Sequence, residues 1–208
     1  MEEDLFFSID TPSTGIYKEK GSKFLAFAIP ITNEADAKTQ ISSFVKEYHD
    51  ARHHCYAYIL GTDKKLFRFS DDGEPSGTAG RPIYGQLLSF NVTNILLVVI
   101  RYFGGIKLGT SGLIQAYKAA ARDAMENAII AKKYIQTFYR TDFPFPVTNK
   151  VMNLLDRNAT QILSQTFTDK ASITFSIRKS FAEDLSLSLK KIHGVAIEKI
   201  SEQDAVCR

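Results

Sequence analysis

Asn94-Ile-Leu-Leu-Val-Val-Ile-Arg-Tyr-Phe-Gly-Gly-Ile-Lys-Leu-Gly109 joins the most apolar run of the chain to a glycine-rich loop. Residues 94–100 are apolar on both faces of an extended strand, which predicts a central strand of a sheet. Beyond the loop, leucine, tyrosine and alanine recur at helical spacing, so we predict a helix over residues 111–131. A glycine-rich turn between a strand and a helix is typical of anion sites, to which Arg101 and Lys107 would add charge. It is equally typical of a plain tight turn.

A second glycine-rich loop, Phe69-Ser-Asp-Asp-Gly-Glu-Pro-Ser-Gly-Thr-Ala-Gly-Arg-Pro82, also follows a strand-like run. Its acids and hydroxyls suggest either a metal or acid–base cluster or a turn in which Asp72-Gly73 reverses the chain. The turn is favoured because no metal-loop spacing is met. Arg81-Pro82 can begin a short helix, since proline is tolerated in a first turn. The sequence leaves open whether the acidic and basic loops share one site.

Length and composition describe an ordinary chain of one or two domains. The 208 residues are 44% hydrophobic and 24% charged, with a net charge of +3 spread evenly, so any anion-binding surface has to be a local patch. No apolar run is long enough to span a membrane, and the acidic start Met-Glu-Glu-Asp is unlike a targeting signal. Cys55 and Cys207 lie far apart without Cys-x-x-Cys spacing. We therefore expect a cytoplasmic protein with free thiols and no membrane contact.

The order of predicted elements indicates an α+β protein with two domains, residues 1–136 and 137–208. The first half is predicted to contain two strands within residues 14–31, a helix over 34–48 that Thr32-Asn33 can cap, and hairpin strands over 54–60 and 65–69. The second half is predicted to contain a strand over 137–145, a helix over 148–157, strands over 161–167 and 172–177, a helix over 180–193 and a strand over 195–200. This βαββαβ order predicts a ferredoxin-like domain.

Four residues near the middle of the first half suggest a zinc or Cys–His site: His49, His53, His54 and Cys55. No glutamate completes a His-Glu-x-x-His motif, and neighbouring residues of a strand point to opposite faces. His54 and Cys55 therefore cannot enter one site together. A structural role, or one histidine at the edge of a binding surface, is the favoured interpretation, and we predict neither a metal site nor a cofactor.

Three blocks of the sequence strongly resemble the IMPACT/YigZ family, an uncharacterised family related to eukaryotic IMPACT. They are the two glycine-rich loops and Arg52-His-His-Cys-Tyr-Ala-Tyr58, and Gly21-Ser-Lys-Phe24 fits the same family. The resemblance covers residues 15–130. It implies a ribosomal-protein-like first domain similar to domain IV of elongation factor G, with a left-handed βαβ crossover, and a second domain similar to domain V. No RWD domain precedes these blocks, which implies the short bacterial type and leaves the scaffold partner of eukaryotic IMPACT unsupported.

The resemblance implies a non-enzymatic protein linked to translation and its regulation. Its expected partner is RNA or the ribosome, bound by a basic, glycine-rich face, with a translation-regulatory protein as a further partner. No catalytic residue is predicted. The predicted contact residues are His53, His54, Tyr56, Arg81, Arg101, Tyr102 and Lys107, together with Asp72, Glu74, Ser76 and Thr78 of the acidic loop.

Two alternatives stay open at this point. The first is a phosphate-ligand enzyme resembling small-molecule kinases, with Asp72 or Glu74 on magnesium and Thr110 or Ser111 on phosphate. No established phosphate-loop motif is met, so an enzyme is the less favoured reading. The second is a protein-interaction module that docks a partner on the sheet of the second domain.

Overall fold

The computed structural model describes residues 4–206, apart from the side chains of Gln203 and Val206. Helices and sheets are mixed along the chain, which confirms the predicted α+β class. Phe6–Lys133 form one compact unit, and Tyr134 onward, with Asp4 and Leu5, form a second. Cys55 is a free, buried thiol, as expected. Cys207 and the first three residues, on which the predictions about thiols and targeting partly depend, lie outside the described residues.

The first unit is built around an antiparallel sheet of five strands. Its elements in chain order are β1 (Leu5–Ile9), β2 (Ser13–Glu19), β3 (Ser22–Pro30), α1 (Glu34–Glu47), β4 (His53–Leu60), β5 (Leu66–Ser70), α2 (Gly80–Ser89), β6 (Ile95–Tyr102), α3 (Gly109–Glu126) and β7 (Ile130–Tyr134). The strand order β2-β3-β6-β4-β5 makes β6 the central strand, as its apolar sequence predicts. The strand continues past Ile100, so Arg101 and Tyr102 belong to the sheet rather than to the loop.

Helices cover both faces of this sheet. On one face lies α1, whose first turn is capped as predicted: the Asn33 side chain accepts a hydrogen bond from the Asp36 N–H. On the other face lie α2 and α3, and the buried alanines of α3 let it pack closely on the sheet. The prediction that α3 reaches residue 131 is wrong. The helix ends at Glu126, and residues 130–134 form the strand β7, which pairs with β1. This two-stranded sheet was not predicted from the sequence.

The second unit contains the predicted βαββαβ order. Its elements are β8 (Gln136–Phe143), α4 (Thr148–Arg157), β9 (Gln161–Phe167), β10 (Ala171–Arg178), α5 (Lys179–Lys190), β11 (Ala196–Ile200) and a short α6 (Glu202–Val206) that was not predicted. The strands form an antiparallel sheet in the order β11-β8-β10-β9. The domain boundary at residue 136 and the likeness to the two elongation-factor domains stay predictions.

Asp4 explains why the start of the described chain groups with this second unit. Its two carboxylate oxygens accept hydrogen bonds from Nε and Nη2 of Arg178 at 2.9 and 2.8 Å, and the Ser180 N–H donates to it at 3.0 Å. The Arg178 hydrogen bonds hold the pKa of the Asp4 carboxyl well below its usual range, although burial opposes this.

Over the described residues, the helices are too short or too polar to cross a membrane.

Candidate anion-binding site

The two glycine-rich loops meet at one end of the five-stranded sheet, where three side chains lie side by side on neighbouring strands. Arg101 of β6 is paired in register with Phe24 of β3 on one side and with His53 of β4 on the other. All three point to the face covered by α2 and α3, because residues on a strand alternate between faces and Val99 and Cys55 belong to that core. The site is therefore carried by the rigid sheet, with the loops around it.

Arg101 is a buried cation that is paired with an acid through one end of its guanidinium. Only 6% of its surface is exposed, and its Nη1 donates to Oε1 of Glu74 at 2.6 Å. The guanidinium carbon lies 5.5 Å from the ring centres of both Phe24 and Phe103, distances at which cation–π attraction contributes. Its Nε is buried and has no hydrogen-bond partner among the residues that the structure describes. Buried donors are normally satisfied, so this atom marks a place where a ligand acceptor would be stabilised.

Glu74 neutralises the charge of Arg101 and is also hydrogen-bonded to a buried tyrosine of α3. Its Oε1 also accepts a hydrogen bond from the Tyr117 hydroxyl at 2.8 Å, and the Cys55 Sγ lies 3.4 Å from that hydroxyl oxygen. Burial raises the pKa of both Tyr117 and Cys55, so these two groups stay neutral. His53 Nε2 is 4.0 Å from the same Glu74 oxygen. The sequence left open whether the acidic and basic loops share one site, and this ion pair joins them.

The remaining acids of the first loop hold the backbone in place. Asp71 accepts N–H hydrogen bonds from Gly77, Ala79 and Gly80 at 2.8 to 2.9 Å, which caps the start of α2. Asp72 accepts from the His54 N–H at 2.6 Å. The predicted turn at Asp72-Gly73 is confirmed by positive φ angles of 42° and 82°.

A metal cluster in the same loop finds no support. Over residues 4–206 no three His, Cys, Asp or Glu side chains gather in a way that could hold a metal ion. Thr78, the buried hydroxyl of the loop, donates to the Pro75 carbonyl oxygen at 2.6 Å and so serves the turn. Asp71, Asp72 and Thr78, which suggested metal chemistry in the sequence, therefore bind backbone groups, and Glu74 binds the side chains of Arg101 and Tyr117.

A pocket of about 450 Å³ opens above the Arg101–Glu74 pair. Its polar lining is mostly basic, with Arg52, His53, Arg101 and Lys107 against the single acid Glu74. Three side chains form its apolar wall: Phe103, Leu108 and Leu113. Phe103 is 51% exposed, so one face of its ring is open to a ligand. The pocket thus combines a positive lining with an exposed aromatic ring.

The first turn of α3 forms another side of the pocket through Gly109 and Thr110. The N-cap position is taken by Leu108, whose side chain cannot cap, and the first turn contains no acidic residue. The first four N–H groups of a helix lack partners within it, and the helix dipole places partial positive charge there. An 18-residue helix that begins this way at a basic pocket is suited to hold an anion.

Gly104 fixes the loop between β6 and α3 against the turn between β2 and β3. An added Cβ at Gly104 would lie 1.8 Å from the backbone carbon of Gly21, and the Gly104 N–H donates to the Ser22 hydroxyl oxygen at 3.2 Å. Gly104 therefore allows the close packing of the loop on the turn, which is one of the two alternatives that the sequence offered for this loop. The anion-site alternative fits the other end of the same loop, at Lys107 and Gly109.

The structure brings four predicted contact residues into this pocket: His53, Glu74, Arg101 and Lys107. Asp72 and Thr78 stand in the supporting loop, Ser76 is exposed in that loop, and Arg81 is exposed in the first turn of α2 outside the pocket lining.

Three further predicted residues lie on the opposite face of the sheet, beneath α1. Tyr102 donates to Asp50 at 2.8 Å, the His54 ring is hydrogen-bonded to the Tyr48 carbonyl oxygen, and Tyr56 packs with the α1-side cluster. The predicted single patch containing His54, Tyr56, Tyr102 and Arg101 is therefore split between two faces. The cause is strand alternation, which continues through Tyr102 because β6 is longer than predicted.

Three residues of the pocket lining, and the supporting Tyr117 behind Glu74, were not among the predicted contacts: Arg52, Leu108 and Leu113. Arg52 directly precedes His53, so its basic charge next to a strand start was an available signal. Leu113 and Tyr117 lie one turn apart on α3, and only the packing of α3 shows that Leu113 lines the pocket and that Tyr117 reaches Glu74.

Comparison with known proteins places these features in a family. The family model of the Impact N-terminal domain matches residues 20–125, which include every residue of the pocket. An IMPACT family member from Haemophilus influenzae is 34% identical over 172 residues, covering 82% of this chain and 84% of that protein.

Two further matches agree. The IMPACT family member YigZ from Escherichia coli is 40% identical over 130 residues, which span 62% of this chain and 64% of that protein, slightly less than two thirds of it. A crystal structure of a hypothetical protein aligns with a TM-score of 0.71 at 29% identity, covering 96% of this chain and 98% of the other. The chain belongs to the IMPACT family.

Proposed function

We propose that this protein is a translation-associated RNA-binding protein that contacts ribosomal or other RNA through the pocket between β6 and α3. The single observation that carries the proposal is Arg101, a nine-tenths buried cation whose Nε has no partner among the described residues, next to the uncapped start of α3. The link to translation comes from what the family resemblance implies. Regulation of translation through a protein partner is part of the same proposal.

The charges around the pocket support phosphate as the contacted group. Glu74 neutralises Arg101, which leaves Arg52 and Lys107 as exposed positive charges on the rim. The α3 start adds partial positive charge. A chain with a net charge of only +3 has no strong global field, so this local excess is what would attract a nucleic acid.

The aromatic wall supports RNA rather than a bare inorganic anion. Phe103 offers an exposed ring face at the pocket. Stacking of a base on such a ring contributes about 1–3 kcal/mol and tolerates any base sequence. A positive groove with an aromatic platform is the usual combination in proteins that bind single-stranded RNA without strong sequence preference.

A phosphate-ligand enzyme is the second candidate, favoured by Thr110 and Lys107, which line the same pocket. The carboxylates suggested for magnesium argue against it. Glu74 is hydrogen-bonded to Arg101 and Tyr117, and Asp72 accepts the His54 N–H. One oxygen of each carboxylate is thus already engaged by partners within the protein.

The first prediction concerns the salt dependence of RNA binding. Lys107→Ala should reduce the slope of log affinity against log salt by about one, since one phosphate contact is lost. Fluorescence anisotropy with a labelled single-stranded RNA over a salt series measures this slope.

Lys118→Ala is the matched control for that substitution. Lys118 is also an exposed lysine of α3, but it lies outside the pocket lining, so its replacement should leave the slope close to that of the wild type. Equal slopes for the two variants would count against the proposed contact at Lys107.

A further inference from the structure

We propose that the pocket takes a terminal phosphomonoester of a nucleotide, such as the phosphorylated end of an RNA strand, in preference to an internal phosphodiester. The inference rests on the proposed function, because it names the chemical group that the same pocket would recognise. It follows from the charge balance of the lining, the closed inner end of the pocket and the donors around the pocket.

The charge balance favours a dianion. With Arg101 compensated by Glu74, the pocket keeps the two full positive charges of Arg52 and Lys107 and the partial charge of the α3 start. An internal phosphodiester carries one negative charge, whereas a phosphomonoester carries about −1.5 to −2 at neutral pH. The monoester therefore matches the lining, and a diester would leave part of the positive charge uncompensated.

The shape of the pocket favours a chain end. Arg101 and Glu74 both line the pocket and are almost completely buried, so the pocket closes on this pair rather than continuing through the protein. A volume of about 450 Å³ lies within the range of small-ligand sites, roughly 300–1,000 Å³, and suits one nucleotide. A terminal nucleotide can therefore enter the pocket while the rest of the strand stays at its open side.

The donors around the pocket favour a group with three terminal oxygens. The first α3 turn, with its N–H groups, and the Lys107 ammonium line the pocket, and the buried Arg101 Nε has no partner among the described residues. A phosphomonoester offers three strong acceptor oxygens, while a diester has two unesterified ones. A phosphomonoester therefore gives these donors one more terminal acceptor oxygen than an internal phosphate does.

His53 adds an acceptor suited to a ribose hydroxyl. Its Nδ1 lies 2.7 Å from the Asp72 carbonyl oxygen, which can only accept, so in the neutral ring Nδ1 holds the proton. This leaves Nε2 as an acceptor on the pocket side, where it lies 4.0 Å from Glu74. A hydroxyl of the sugar that bears the phosphate would find its partner there.

The test compares RNA oligonucleotides that differ only at one end. The full chain is titrated by fluorescence anisotropy with the same short single strand ending in a 5′-phosphate, a 5′-hydroxyl or a 3′-phosphate, labelled at the opposite end. We expect a phosphorylated end to bind about tenfold more tightly, equal to ~1.4 kcal/mol, than the hydroxyl form.

Two variants and one control variant test whether the preference for a phosphorylated end arises at this pocket. Lys107→Ala should abolish most of the preference for the phosphorylated end. Phe103→Ala should weaken binding of all three oligonucleotides, while Phe167→Ala, a control residue of β9 with 52% exposure, should change nothing.

A second arm uses calorimetry with AMP, adenosine and ATP with magnesium. Equal affinity for phosphorylated and hydroxyl ends would overturn this inference and leave the proposed RNA binding intact. Binding of AMP but not of adenosine, with no RNA binding, would support the phosphomonoester pocket, assign it to free nucleotides and overturn the proposed function. Tight binding of ATP that requires magnesium would favour the enzyme over both the RNA-binding function and the phosphomonoester pocket. Absence of binding to every oligonucleotide and nucleotide would overturn both of these proposals.

Discussion

Gly104→Ala is expected to lower the free energy of unfolding by more than ~4 kcal/mol or to prevent folding. A Cβ at this position would lie 1.8 Å from the Gly21 carbon and 2.2 Å from both the Gly21 oxygen and the Ser22 nitrogen. These are backbone atoms of the turn between β2 and β3, so no side chain can rotate away. The loop and the turn would have to separate, which would also disturb the start of α3. Urea denaturation followed by circular dichroism measures the change.

Gly85→Ala provides the control for that measurement. Gly85 lies in α2, an added Cβ there meets no atom within 4 Å, and its φ is not positive. Alanine favours a helix over glycine by up to ~1 kcal/mol, so this variant should be slightly more stable than the wild type. If Gly104→Ala unfolded at the same urea concentration as Gly85→Ala, the close approach of the two loops would be contradicted.

Glu74→Ala is expected to lower the free energy of unfolding by about 3–5 kcal/mol. The substitution leaves the buried Arg101 without its counter-charge and the Tyr117 hydroxyl without its acceptor. Burying an unpaired charge is far more costly than losing an exposed ion pair, because the charge loses its hydration without compensation. The same denaturation experiment measures the effect.

Two comparisons make this prediction specific. Glu126→Ala breaks an exposed pair with Arg122 on α3 and should change stability by less than about 0.5 kcal/mol. Combining Glu74→Ala with Arg101→Met removes both charges and should recover most of the loss, since a buried pair replaced by apolar groups is close to neutral. A double variant as unstable as Glu74→Ala alone would contradict the assigned role of the pair.

Local patterns were sufficient to predict most of the fold. The apolar run before Arg101 indicated the central strand, Asn33 indicated the helix cap, and Asp72-Gly73 indicated the turn, and each is found as expected. These features depend on neighbouring residues only. The end of α3 was misplaced because β7 pairs with β1, more than a hundred residues earlier, and no local signal reports such a pairing.

The candidate site was predicted less completely because it depends on which strand face each side chain occupies. His53 and Arg101 lie on the face covered by α3, whereas their next neighbours in sequence, His54 and Tyr102, lie on the face covered by α1. Alternation along a strand is readable from sequence only when the strand end is known, and β6 continues beyond its apolar residues. The contact of Glu74 with Tyr117 needs the packing of α3 on the sheet and has no sequence signal.

The central claim, RNA binding at the start of α3, is tested most directly by co-sedimentation with ribosomes across a salt series. Thr110→Glu introduces an acid into the exposed first turn of α3, where it would occupy the place of a phosphate. The acid interacts favourably with the helix end, by about 0.3–1 kcal/mol, so the variant should be at least as stable as the wild type. Thr39→Glu adds the same charge at an exposed position of α1 and serves as the control.

We expect the wild type and Thr39→Glu to sediment with ribosomes at low salt and to dissociate as salt rises. Thr110→Glu should stay in the supernatant at every salt concentration while keeping its thermal midpoint. Co-sedimentation of Thr110→Glu to the same extent as Thr39→Glu, or no salt-sensitive binding by the wild type, would contradict the account.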